Sequence, residues 1–67
     1  MTTYVFDAEI KSVHTTKWKV SVDANSVREA RQLAEIEIER SAHGFCEMTE
    51  QQYVGTKVNE VLYAKEC

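Results

Sequence analysis

His43 and Cys46 stand three residues apart, a spacing that could serve as half of a metal site or as a thiol with its base. A zinc site needs several ligands converging on one ion, usually two pairs of Cys or His. The other residues of those types, His14 and Cys67, are single and distant, so no metal or cofactor is expected. Nucleophilic catalysis would need Cys46 beside His43 with an orienting acid. Residues this close that enter a strand point apart, which works against that pairing. Glu35 and Glu39 are four apart on the outer side of a predicted helix, and such a pair reads as solvated surface rather than as tuned acid and base. There is no glycine-rich phosphate loop, and a domain this thin has little volume for a substrate pocket. The expectation is a protein without enzymatic chemistry. His43 is then expected at a helix C-terminus, where the dipole mildly favours a cation, and Cys46 is a small hydrophobe.

The elements that carry these residues follow from hydrophobic period. Tyr4, Phe6, Ala8 and Ile10 alternate with Val5, Asp7, Glu9 and Lys11. After a polar stretch from Ser12 to Thr16, Trp18, Val20 and Val22 alternate with Lys17, Lys19, Ser21 and Asp23. Two period-2 runs with a short connection predict an antiparallel hairpin, each strand turning one apolar face to a core. Ser26, with Glu29 three residues on, is a capping-box start. The helix is predicted to run to about Ser41, with Gly44 just beyond as its stop. Val27, Ala30, Ala34, Ile38 and Ser41 form its apolar stripe and Leu33 the shoulder. Ile36 lies far round from that stripe, among Arg28, Gln32, Glu35 and Glu39. Phe45-Cys46-Glu47-Met48 reads as a third strand ending near Gly55, and Thr56 to Lys65 as a last extended segment whose broken alternation suggests a bulge.

The expected architecture is one α+β domain over residues 1–67: an antiparallel sheet of three to four strands, in the order β-β-α-β-β, with one amphipathic helix on one face. With no Pro and two Gly in 67 residues, most of the chain should be regular structure. A net charge of −3 lacks the basic footprint that a nucleic-acid backbone selects, so no direct nucleic-acid binding is expected. Two cysteines make no disulfide framework, and Cys46 and Cys67 are expected as free thiols in a reducing cytoplasm. The first residues resemble no signal peptide, and no apolar run approaches the length of a bilayer span.

The segment Val22-Asp23-Ala24-Asn25-Ser26-Val27-Arg28-Glu29-Ala30, with His43-Gly44-Phe45 further on, resembles small β-β-α-β(-β) proteins of phages and other mobile elements. Three groups share the look: a type I-F anti-CRISPR family that obstructs the Cascade-like surveillance complex, the short-tailed-phage inhibitor that docks on the jaw of bacterial RNA polymerase, and the DpnD/PcfM-like family. The likeness runs from Ala24 to Gly44, with the hairpin similar in outline. It implies an inhibitor acting by stoichiometric protein binding in the cytoplasm of an infected bacterium, an anti-CRISPR before an RNA polymerase inhibitor. A self-associating structural protein, a possible homodimer, is the alternative from another class. One helix can cover only one sheet face, so the expected contacts are the outer helix face (Arg28, Arg31, Glu35, Ile36, Glu39) or the outer sheet face (Glu9, Lys11, Lys17, Lys19). Asp7 and Glu47 are placed on that sheet face too, with Val5 and Val13 at its margins. Open strand edges add a third place for a partner.

Overall fold

Alternation in the first third of the chain gives two ten-residue strands, β1 (Thr2–Lys11) and β2 (Thr15–Ala24). They pair antiparallel without interruption, from Thr2 opposite Ala24 to Lys11 opposite Thr15. The connecting turn, residues 12–14, is closed by Ser12, whose backbone N–H and hydroxyl both donate to the His14 carbonyl (3.2 and 3.0 Å). The structure, a computed structural model, describes residues 1–66. The pairing state of Cys67 therefore lies outside the described residues.

The helix α1 (Val27–Met48) starts where the capping chemistry placed it. Ser26 has extended backbone and its hydroxyl accepts from the Glu29 N–H at 3.2 Å, satisfying a donor that the first turn leaves orphaned. The helix does not stop before Gly44. Its buried row continues from Ala30, Ala34 and Ile38 into Ala42 and Cys46, whereas Val27 is exposed. Phe45 meets Trp18 of β2 edge to face, with ring centroids 5.6 Å apart. The seven residues beyond Ser41, about two turns, bury a thiol and half-bury an aromatic, which outweighs the roughly 1 kcal/mol that a mid-helix glycine costs. The predicted strand at Phe45–Met48 is thus helix, and Glu47 belongs to α1 rather than to the sheet face.

The real stop is at Thr49–Gln51. Glu50 takes a positive φ of 57°, its N–H donates to the Glu47 carbonyl (3.3 Å), and the Gln51 N–H donates to the Cys46 carbonyl (2.8 Å). This pair of bonds is a Schellman motif with glutamate at the left-handed position glycine usually fills. The chain then returns as β3 (Gly55–Glu66), which pairs antiparallel with β1 on its other side. The sheet has three strands in the order β2-β1-β3. The predicted bulge is real: the β1–β3 register shifts between Val5 and Phe6 and again between Phe6 and Ala8.

A helix of 22 residues is ~33 Å long, close to the 37 Å long axis of a molecule only 16 Å across, so it lies along the strands. Phe6, Ala8 and Ile10 of β1, Val20, Val22 and Ala24 of β2, and the alanine-rich row of α1 form one core. Alanines at 30, 34 and 42 let the helix backbone approach the sheet closely. Phe6, Ile10 and Ile38 are the largest side chains wholly out of water, each contributing roughly 1.5–3 kcal/mol of transfer free energy.

Candidate functional site

The sheet face opposite α1 is built by odd-numbered residues of β1 and β2 with their β3 neighbours. In register, Glu9 stands between Lys17 on β2 and Lys57 on β3, and Asp7 stands opposite Lys19. Opposite charges thus face one another across the ladder, though among the described residues these lysines form no ion pair with the acids. The acids are half-buried and the lysines exposed. Asn59, at the β3 irregularity, ties the acids together: its Nδ2 donates to Asp7 Oδ2 (3.3 Å) and to Glu9 Oε2 (2.9 Å). Lys11 ends the row, exposed, and its carbonyl accepts from the Val54 N–H at 3.0 Å. The upper end of this face is less polar. Val5 is buried there, outside the helix-side core, rather than lying at a margin. Tyr63 and Ser21 stand opposite it, and at the far end Thr3 donates a hydrogen bond from its hydroxyl to Asp23.

The outer helix residues separate into two groups. Arg28, Glu35, Ile36 and Glu39 are exposed. Arg31 turns toward β3 instead, where its guanidinium donates to the Val58 carbonyl (3.1 Å) and the Asn59 carbonyl (2.7 Å) and lies 5.7 Å from the centre of the Phe6 ring. Two backbone acceptors at the bulge are satisfied by this one side chain, which the planar fork of an arginine suits. Arg31 holds α1 to β3. Nothing in the local pattern around residue 31 signals a contact with residues 27 and 28 positions further along.

His43 and Cys46 do not converge. Cys46 is buried in the core-facing row, while exposed His43 stacks on Tyr53 with centroids 4.3 Å apart and rings tilted by 34°. Among the described residues no group of three or more His, Cys, Asp or Glu is placed to hold a metal ion. No helix among them is long and apolar enough to cross a membrane.

The sequence reading missed one concave feature. On the β2 side of α1, Leu33, Ile36 and Glu37 and the strand residues Ser21, Val22 and Asp23 line an open groove of about 260 Å³. The isolated Ile36 of the charged helix face is therefore one wall of a groove that runs along a free strand edge. Its place far from the main stripe was the available signal. No family model matches the chain, and no curated protein or solved structure matches it.

Proposed function

We propose that the protein acts by stoichiometric docking on another macromolecule, a host protein or ribonucleoprotein machine, with a CRISPR surveillance complex as the leading target because of the anti-CRISPR resemblance. The observation that carries this reading is the sheet face turned away from α1: a three-stranded surface with Lys17 and Lys19 beside Asp7 and Glu9, and no helix over it among the described residues. A flat face of mixed sign cannot enclose a small substrate, which needs a concave site with a few convergent polar groups. It suits a protein surface of complementary sign, where charge sets the rate and register of association. A polyanionic backbone gains little from a chain whose acids outnumber its bases, 11 to 8.

The test is binding of the purified protein to a type I-F surveillance complex, followed by size-exclusion chromatography and calorimetry. A 1:1 or other fixed stoichiometry supports the reading. Charge reversal at Lys17 and Lys19 together should weaken the complex by about tenfold or more, mainly through the association rate. Bacterial RNA polymerase serves as the second arm. A fall in transcript yield with no effect on the surveillance complex would move the target to transcription, and binding to neither would remove the reading.

A further inference from the structure

We infer that two copies of the chain pair through their β2 edges, forming a continuous six-stranded antiparallel sheet with both helices on one face. This goes beyond the docking function and does not depend on it. It starts from the unequal character of the two free edges. The sheet order β2-β1-β3 leaves β2 and β3 each open on one side. β3 is blunted in the ways natural edges are: its register is broken twice, and the carbonyls of Val58 and Asn59 are occupied by Arg31. β2 is regular over its whole length, without a bulge against β1. An unbroken ten-residue edge of this kind is a template for another strand.

The occupant is argued from charge and from the groove. Antiparallel pairing of a strand with its own copy places the two-fold axis normal to the sheet, so each residue faces one on the same side. With Val20 opposite Val20 of the second copy, the strands pair from Thr16 to Ala24, nearly the full length of β2. On the outer side Lys17 then faces Asp23 and Lys19 faces Ser21, each occurring twice by symmetry. No like charges stand directly opposite on that face. Centring on Trp18 would set Lys17 against Lys19, and centring on Lys19 would set that residue against itself, both destabilising. Centring on Ser21 keeps a Lys19–Asp23 pair but shortens the ladder by a residue at each end.

On the helix side the same register sets Trp18 of the second copy opposite Val22, under the groove walled by Leu33 and Ile36. Ile36 is 56% exposed and Leu33 37% exposed in the single chain, and they flank the place where the second copy's strand would lie. The two helices run antiparallel above the joined sheet with these side chains between them. Neighbouring strands are about 4.8 Å apart, so helices centred on β1 of each copy would be separated by about 14 Å, wider than the roughly 8–10 Å of directly packed helices, and Leu33 and Ile36 would cover the second copy's strand rather than interlock helix with helix.

The experiment has two parts, on the full chain with Cys67→Ser as background. Sedimentation over a concentration series should show a monomer–dimer equilibrium, and Ile36→Glu, a change at an exposed position with circular dichroism as the check that the fold is kept, should raise the dissociation constant at least about tenfold by burying an unpaired charge. A chain that stays monomeric at every concentration overturns the inference and leaves the β2 edge to a strand of a different protein. The register is read by mild oxidation of Lys19→Cys and Ser21→Cys variants, separately and mixed. Directly opposite positions lie about 4.5–5.5 Å apart between Cα atoms, within disulfide reach, whereas diagonal ones at about 7–8 Å do not bridge readily. Cross-linked dimer in the mixture, with neither variant alone giving it, is the expected result. Cross-linking of Ser21→Cys by itself would show the register centred on Ser21, and that of Lys19→Cys by itself the one centred on Lys19; either overturns the proposed pairing, as does a dimer that no combination cross-links.

Discussion

Single residues at the two ends of α1 are where local chemistry can be checked most directly. Gly44 lies in the helix interior, and a Cβ built there meets nothing within 4 Å. Gly44→Ala should therefore stabilise the protein by about 0.5–1 kcal/mol in chemical denaturation, through helix propensity and a less floppy unfolded chain. Were the helix to end at Gly44 in a left-handed conformation, the same substitution would destabilise, so its sign tests the longer helix. Glu50 is the converse case. It holds a left-handed backbone that glycine adopts without penalty, so Glu50→Gly should raise stability by about 1 kcal/mol. Ser26→Ala should cost about 1 kcal/mol by orphaning the Glu29 N–H. Additivity among these changes is expected for Ser26 against Gly44 or Glu50, which share no partners.

Elements owe their mutual placement to a few contacts across the chain. Arg31 links α1 to the bulged part of β3 through two charge-assisted bonds to backbone carbonyls. Arg31→Ala should destabilise by about 1–2 kcal/mol, since each carbonyl turns to water only in part and contact over the Phe6 ring is lost as well. Arg31→Lys should recover less than half of that, because an ammonium donates from one nitrogen and lacks the planar two-nitrogen fork that spans both carbonyls and lies over the ring. Hydrogen exchange would locate the effect: amides of β3 near Val58 should lose protection while those of the β1–β2 hairpin keep theirs. The hairpin itself was legible from the first residues, since alternation fixes which face each strand turns inward. The end of α1 was not. Gly44 imitates a stop, and the true stop uses Glu50, a residue type that carries no such signature. What extends the helix is burial of Phe45 and Cys46 against a strand distant in sequence.

At the scale of the whole molecule, one thin core carries nearly everything. A chain of 67 residues is expected to have roughly 3–10 kcal/mol of stability, and truncating a buried phenylalanine costs about 3–5 kcal/mol. Phe6→Ala at the centre of the core should therefore remove a large share of the stability and lower the melting temperature, followed by circular dichroism, far more than Phe6→Leu, which keeps most of the buried volume. Such a molecule has little interior to hold a site, and its surfaces are large relative to its volume. Functional proposals accordingly fall on faces and edges: the charged sheet face for a partner, the β2 edge for a second copy.

The sequence by itself determined the class, the hairpin, the helix start and the inward residues of β1 and β2, because period and capping act over a few residues and need no distant partner. It also determined that one helix would leave a sheet face bare. Three things were decided by tertiary structure alone. The sheet closes with three strands because Phe45 and Cys46 gain more by burial in the helix than as a strand. Arg31 leaves the outward helix surface because two carbonyls freed at a bulge need donors. Ile36 becomes a groove wall because α1 lies beside the β2 edge. Each depends on which distant residues meet, and that is a property of the packed chain, which no local pattern encodes.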